Sequence, residues 1–318
     1  MNKRMKEKEK LTISQRLARR YNTDMPTPMQ NGKFIFCFFA CLPAVFGFIM
    51  WYLLVNFNSI LMAFQDPITK ELSMINFERL LNELTNPTTE IYRGLVNTLK
   101  WFFLSAFVLP SIGYFIAYFL YRRIKFAKFW LIMIHLPGII SAVVISSMMK
   151  NAVSPLGPIS HIMNSLGLGY LPNLFADPKT ATPAMMAIVF FTSLQVNVLL
   201  MIGTFKRLPE SLMDAAKIDG ATETQQLFLI VTPLVSSTLV TLAILSFTGI
   251  FAATGPILYY TQGGADTMTL SYWIFAQTYN GGLLNYPAAV GIFFSAIGIP
   301  LVLITRALAN KIAKFVEY

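Results

Sequence analysis

The feature that most constrains this sequence is a series of six apolar stretches, each long enough to cross a lipid bilayer. A helix needs about 20 residues to span the hydrocarbon core, and only helices or closed barrels satisfy their backbone hydrogen bonds there. A barrel would show short alternating strands instead of long apolar runs. We therefore expect an all-α membrane protein with six transmembrane helices. The expected spans are about Phe34–Leu54, Leu95–Tyr121, Phe126–Met149, Pro183–Phe205, Leu234–Tyr260 and Pro287–Leu308.

The composition agrees with this class of protein. Hydrophobic residues make up 55% of the 318 residues and charged residues only 13%, whereas soluble domains carry about 25% charged residues. These values exclude a disordered chain, a fibrous protein and a nucleic-acid-binding domain, and they argue strongly against a soluble enzyme. The first apolar run is longer than the roughly 7–15 residues of a signal peptide, so we expect it to remain as an uncleaved anchor.

The distribution of Lys and Arg predicts the orientation in the membrane. Nineteen of the 25 lie in the N-terminal segment, in the loops after spans two and four and in the C-terminal tail. Because cytoplasmic segments carry the excess of basic residues, both termini are expected to be cytoplasmic, which requires an even number of spans. The expected organisation is a basic cytoplasmic N-terminal tail (1–33), a six-helix transmembrane domain (34–310) and a cytoplasmic tail (311–318).

The basic N-terminal tail allows two interpretations. Residues 11–20 could form a short amphipathic helix on anionic membrane lipid, since basic residues alternate with apolar ones there. The alternative is that the tail only anchors the topology. A nucleic-acid-binding role is not expected, because aromatic side chains are not interleaved with the basic ones.

The loop between spans four and five, about residues 206–233, contains the signals of a small folded structure. Pro209 is expected at the first position of a helix, with Glu210 at the positive end of its dipole. Gly220 is placed to end that helix in a left-handed conformation. Thr222 and Gln225 have the spacing of a capping box, which predicts that a second helix begins there.

Other residues of this loop predict which side chains share a face of the first helix and where the second helix ends. Leu212, Ala215, Ala216 and Asp219 are expected to share one face of the first helix. At about 15 Å that helix is too short to span the bilayer, so we expect it on the cytoplasmic surface. Its small alanines could seat against another protein, or the helix could be an ordinary connection. Pro233 is expected to break the second helix before span five.

No motif for catalysis, metal binding or cofactor binding is found in the sequence. It has no Gly-x4-Gly-Lys-Ser/Thr loop, no Gly-x-Ser-x-Gly, no His-Glu-x-x-His and no metal-binding cysteine pair. We therefore expect no enzymatic activity, no catalytic residue, no metal and no cofactor in this chain. If an enzyme is involved, it is another subunit.

Three polar residues inside the predicted spans are candidates for a functional role. They are His135 in span three, and Gln195 and Asn197 in span four. Polar groups in hydrocarbon need partners, so these side chains either line a translocation path or hydrogen-bond between helices. Both interpretations remain open. In addition, Pro137 and Pro110 are expected to bend their spans.

A resemblance to a known family rests on the loop. Its residues run Asp214-Ala215-Ala216-x3-Gly220-x9-Ile230-x-x-Pro233. This string resembles the EAA motif of binding-protein-dependent ABC importer permeases, which reads Glu-Ala-Ala, three residues, Gly, nine residues, then Ile-x-Leu-Pro. Asp214 replaces the glutamate and Thr232 replaces the leucine. The surrounding residues look like the carbohydrate-uptake, maltose-permease type of the family.

The resemblance implies a fold, a function and partners. The fold would be that of a type I ABC importer permease, and the chain would be a multi-pass permease of a prokaryotic cytoplasmic membrane that translocates a sugar or oligosaccharide. Its partners would be a cytosolic ATPase dimer, a second, related permease and an extracytoplasmic solute-binding protein. The residues implied to couple it to the ATPase are Glu210, Asp214, Ala215, Ala216, Asp219, Gly220 and Pro233.

Two other function classes stay open at this point. A secondary transporter or channel that works alone would predict internal repeats and paired charges within the membrane, and the spans show no obvious charge relay. A membrane scaffold or sensor subunit without transport is the other alternative.

Overall fold

The computed structural model describes residues 27–122, 124–251 and 253–316. The proposed lipid-binding stretch 11–20 lies outside the described residues. Within them the chain is nearly all helical. The helices are α1 (Thr27–Gly47), α2 (Val55–Ala63), α3 (Ile75–Thr85), α4 (Glu90–Phe103), α5 (Leu109–Tyr121), α6 (Ala127–Ile139), α7 (Ala142–Ala152), α8 (Pro158–Ser165), α9 (Ala181–Phe205), α10 (Glu210–Ile218), α11 (Glu223–Gln225), α12 (Thr232–Thr248), α13 (Gly255–Tyr260), α14 (Leu270–Tyr279) and α15 (Asn285–Val316).

Three wide π-helical segments join some of these helices into longer rods. They are Phe48–Leu54 between α1 and α2, Leu104–Val108 between α4 and α5, and Gln226–Val231 between α11 and α12. Each segment is itself helical, so the spans continue through it without a break. Single π-helical turns inside longer helices are common at functional sites.

The chain divides into two compact units, residues 1–61 and 62–318. In the first unit, the described part is an apolar helical rod whose π-helical segment has no buried residue. Its aromatic side chains, such as Trp51 and Phe36, are strongly exposed. A helix that presents apolar residues on all sides is suited to lipid rather than water.

In the described part of the chain, five helices are long and apolar enough to cross a membrane: 35–63, 90–121, 181–205, 223–248 and 285–308. A sixth span results if the pair α6 and α7 crosses as one unit, despite an angle of 105° between its two helices. The predicted all-α membrane fold is therefore confirmed, with six spans when this pair is counted once. The orientation of the termini stays a prediction.

The third span differs from the expectation of one continuous helix over 126–149. Pro137 lies in the last turn of α6, and Ile140 is extended with φ −84° and ψ 139°. Ser141 then caps α7, because its hydroxyl accepts a hydrogen bond from the Val144 amide at 3.5 Å. Proline weakens the helix and the serine starts a new one, so a bend at Pro137 becomes a full break.

The fifth span begins earlier than predicted and ends earlier. One helical rod runs from Glu223 to Thr248, and Tyr260 belongs to the separate helix α13. Pro233 lies in the first turn of α12 and does not break the rod. That prediction was wrong because the preceding turn is π-helical, with the amide of Thr232 bonded to the carbonyl of Leu227 five residues back. A wide turn makes room for the proline ring.

Spans two, four and five share one hydrophobic core at the end of the bundle where α10 lies. Phe205 and Val231 are fully buried there, and Leu227 and Met213 are nearly so. Met213 comes from α10, so this short helix is anchored in the same core as three spans. Burying a side chain of this size contributes about 1.5–3 kcal/mol.

Candidate functional site

The short helix α10 is the candidate site, and both of its ends are defined by local hydrogen bonds. Pro209 immediately precedes it with ψ 129°, one position before the helical site that was predicted. At the other end Gly220 has φ +79°. The amide of Ala221 donates to the carbonyl of Ala216 at 2.9 Å, and the amide of Gly220 donates to the carbonyl of Lys217 at 3.1 Å. These two bonds form a Schellman motif, so the predicted left-handed end is confirmed.

The second helix predicted to begin at Thr222 is also present. The Thr222 hydroxyl accepts a hydrogen bond from the Gln225 amide at 3.3 Å, and the Gln225 side chain accepts one from the Thr222 amide at 2.8 Å. Together they make a capping box at the start of α11. Gly220 and Thr222 therefore hold the turn between α10 and the long rod of span five in one defined geometry.

The two faces of α10 differ from the predicted arrangement. Met213 and Ala216 are buried against the rest of the chain, while Leu212, Ala215 and Asp219 are exposed. Ala216 therefore does not share the outer face with Ala215, because consecutive helical residues are about 100° apart. The surface open to a partner carries one alanine, flanked by Leu212 and by Ile218, which is 87% exposed.

An ion pair ties the loop to span two. The Arg122 guanidinium, just after α5, donates to the Glu223 carboxylate at the start of α11. Acceptance of this hydrogen bond by Glu223 raises the pKa of Arg122 above its usual value, although partial burial opposes the shift. Because Arg122 is 19% exposed and Glu223 is 69% exposed, solvent screens the pair, and we expect a modest contribution to stability.

Hydroxyl contacts extend the connection into the spans. The hydroxyls of Tyr114 and Thr232 lie 2.7 Å apart and join spans two and five. Those of Thr204 and Thr238 lie 2.9 Å apart and join spans four and five. These hydroxyl contacts link spans two, four and five to one another, in addition to the core that the three spans share with Met213 of α10.

Comparison with known proteins identifies the family. The family model described as "Binding-protein-dependent transport system inner membrane component" matches residues 111–317. This chain belongs to that family. The resemblance drawn from residues 214–233 is therefore confirmed, and the chain is a multi-pass permease of a binding-protein-dependent ABC importer in a bacterial membrane.

Curated relatives agree over most of this permease. The probable ABC transporter permease protein YurN of Bacillus subtilis (strain 168) is 24% identical, covering 90% of this chain and 98% of the relative. The arabinooligosaccharides transport system permease protein AraP of the same organism is 24% identical, covering 85% and 87%. The sn-glycerol-3-phosphate transport system permease protein UgpA of Agrobacterium fabrum (strain C58 / ATCC 33970) is 26% identical, covering 76% and 81%.

Solved structures share the fold. A chain of a bacterial ABC transporter that imports the acidic polysaccharide alginate superposes with a TM-score of 0.77 at 19% identity, covering 90% of this permease and 99% of that chain. A second alginate transporter structure, in complex with a periplasmic protein bound to an alginate pentasaccharide, gives a TM-score of 0.79 at 18% identity, covering 90% and 98%. At this identity the likeness concerns the fold alone.

Two of the three polar residues predicted to matter inside the spans lie at close contacts between helices. Asn197 packs on Gly113 of span two, where an added Cβ would lie 2.6 Å from the Asn197 Cβ. The Gln195 amide lies against Gly138 of α6. His135 is half-buried, and its Nδ1 lies 2.7 Å from the Leu131 carbonyl in its own helix. The positions of Asn197 and Gln195 agree with contacts between helices, whereas the His135 contact lies within its own helix. A role of the three residues in the translocation path stays a prediction.

The sequence did not indicate the ion pair that ties the loop to span two, nor the side chain that anchors α10. In the sequence, Arg122 is one of the basic residues that follow span two, and Glu223 lies within the loop 206–233. Their opposite charges at the ends of neighbouring spans could have suggested the pair, but the three-dimensional neighbourhood was needed. Met213 could have been found, since it lies three residues before Ala216 on one helical face. Among the described residues, no group of three His, Cys, Asp or Glu side chains could hold a metal ion.

Proposed function

We propose that this permease forms half of the transmembrane path of an ATP-driven importer for a sugar or oligosaccharide. Relatives named for arabinooligosaccharides and, in Streptomyces coelicolor (strain ATCC BAA-471 / A3(2) / M145), for diacetylchitobiose support a carbohydrate. UgpA is named for a phosphorylated glycerol, so the relatives support a class of solute rather than one compound.

The observation that carries the proposal is the two-sided character of α10. Its outer face presents Leu212 and Ala215 to solvent, and its inner face is fixed by Met213 in the core of spans two, four and five. A separate cytosolic ATPase dimer would grip the outer face. When ATP binding closes that dimer, α10 would move, and the core and the Arg122–Glu223 pair would pass the motion to the spans. The spans would then rock from inward-open to outward-open, and hydrolysis would reset them.

The remaining partners follow from the same scheme. A second, related permease would complete the path, so that the two permeases form a heterodimer. An extracytoplasmic binding protein would deliver the solute, as the family description implies. This chain would bind no cofactor and perform no catalysis, and ATP would be hydrolysed only by the partner. Asn197, Gln195 and His135 are the residues we propose to test as contacts of the solute.

The experiment is uptake into proteoliposomes that contain the full assembly. Labelled oligosaccharide should accumulate only with ATP on the α10 side and the solute-loaded binding protein on the other side. Ala215→Arg should abolish uptake while the permease still inserts, because a long charged side chain cannot seat where a methyl group fits. Ala215→Ser, which keeps a small side chain, is the matched control and should retain uptake.

Two results would contradict the proposal. Uptake that persists without ATP and collapses with an ionophore would indicate a secondary transporter. Equal uptake by the Ala215→Arg and Ala215→Ser variants would show that the outer face of α10 makes no tight contact.

A further inference from the structure

A groove beside α10 is not explained by ATPase docking on its outer face. Its volume is about 710 Å³, within the range of sites that hold small ligands. It lies between α10 and the adjoining ends of α5, α6 and α9. Its lining residues are Leu120, Tyr121, Arg122, Ala127, Lys128, Leu131, Ile202, Lys206, Leu208, Glu210, Met213, Asp214 and Lys217.

The groove lies at the boundary between apolar spans and polar loop. The span through α5 ends at Tyr121 and Arg122 follows, while α9 ends at Phe205 and Lys206 follows. Lys128 is the second residue of α6. Three cationic side chains therefore lie within one or two residues of a helix end. In a membrane protein this is the depth of the lipid headgroups.

The basic side chains that line the groove outnumber the acidic ones: Arg122, Lys128, Lys206 and Lys217 lie there with Glu210 and Asp214. Arg122 is paired with Glu223, and Lys217 with Asp214 at 3.2 Å. Lys128 and Lys206 are exposed, and within the described part of the chain neither has a carboxylate oxygen within 4.0 Å. Two cations on one concave surface raise the local positive potential and favour an anionic ligand.

The inner wall of the groove is apolar. Leu131, Ile202 and Leu120 line it together with the cationic rim. A small inorganic anion would match the rim but leave this wall without a complementary surface. A molecule with a phosphate at one end and a hydrocarbon chain at the other would satisfy both.

We propose that an anionic phospholipid of the surrounding membrane binds in this groove. Its phosphate would lie between Lys128 and Lys206, and the start of an acyl chain would lie along Leu131 and Ile202. Basic pockets between transmembrane helices commonly take such headgroups. Bound there, the lipid would fill the space between α10 and the ends of spans two, three and four. This proposal does not depend on the proposed function, because it concerns binding in the absence of nucleotide.

The test is lipid retention, measured by native mass spectrometry on the purified permease assembly without nucleotide. The assembly is exchanged into detergent with either phosphatidylglycerol or phosphatidylcholine. Each lysine near an anionic headgroup contributes about fivefold to affinity, so the double variant Lys128→Gln/Lys206→Gln should lose about 25-fold in phosphatidylglycerol affinity. Phosphatidylcholine retention should be weak throughout.

The matched control is Lys125→Gln/Arg207→Gln, which removes the same charge from neighbouring positions that do not line the groove. It should retain phosphatidylglycerol like the unmodified chain. Equal loss in the two double variants would overturn the proposal in favour of general surface charge. Displacement of the lipid by millimolar inorganic phosphate would overturn it in favour of a soluble anion. If the Lys128→Gln/Lys206→Gln variant retained the lipid but lost a bound protein subunit, the groove would be a site for a protein partner and the proposal would be wrong.

Discussion

Substitution of Gly220 gives the sharpest prediction, because the structure isolates one cause. Gly220 has φ +79°, and an added Cβ would meet nothing within 4 Å. The cost of a side chain is therefore conformational and not steric. A left-handed conformation costs an ordinary residue about 1–2 kcal/mol, which corresponds to a shift of about 5- to 30-fold between the intact and frayed end of α10. Asn tolerates this region better than Ala, and a β-branched residue tolerates it worst.

We expect ATP-dependent uptake to be highest for Gly220→Asn, lower for Gly220→Ala and lowest for Gly220→Val. The amount of permease in the membrane should be normal for all three variants. Loss of the Schellman bonds would free the last turn of α10 and the turn that leads to span five. The assay is uptake per ATP hydrolysed in proteoliposomes, since a frayed α10 should let hydrolysis continue while transport drops.

The control is Gly203→Ala in α9. Gly203 is also exposed with open space around its added Cβ, but its φ is not in the left-handed region. Alanine should be neutral there or slightly stabilising. Uptake by Gly220→Val at the unmodified level would refute the reasoning, as would an equal loss in Gly203→Ala.

Four further substitutions test the ion pair beside the site and the close contacts between the spans. Arg122→Gln should lower the free energy of unfolding by about 0.5–1 kcal/mol. In the double variant, Glu223→Gln should cause little further loss, because its partner is already gone. Additive losses in a double-mutant cycle measured by thermal melting would show that the two side chains do not interact. Gly113→Ala should destabilise by about 1–3 kcal/mol, because its Cβ would lie 2.6 Å from the Asn197 Cβ. Gly138→Ala should destabilise the permease less than Gly113→Ala, since its added Cβ meets the movable end of the Gln195 side chain. A lower melting temperature for Gly138→Ala than for Gly113→Ala would contradict this.

Features set by local hydrogen bonds could be predicted from sequence. Gly220 and the capping box of Thr222 depend only on residues within a few positions, and both predictions are confirmed. The apolar spans could also be predicted, because the length and hydropathy of each run are properties of the run itself.

Features that depend on neighbouring elements could not be predicted. Pro233 looks like a helix breaker on its own, but the π-helical turn before it lets the rod continue. From the sequence, Ala216 is expected on the exposed face with Ala215, but in the structure Ala216 and Met213 are both buried. Pro137 indicates a bend, and only the cap supplied by Ser141 makes the 105° break.

Site-specific photo-cross-linking shows directly whether the outer face of α10 contacts a separate ATPase. A cross-linker at Ala215, exposed on that face, should capture a nucleotide-hydrolysing subunit in the intact assembly. The same cross-linker at Leu156, 84% exposed in the loop between α7 and α8, should not capture it. Capture of that subunit from Leu156 and not from Ala215 would show that the ATPase does not bind the outer face of α10.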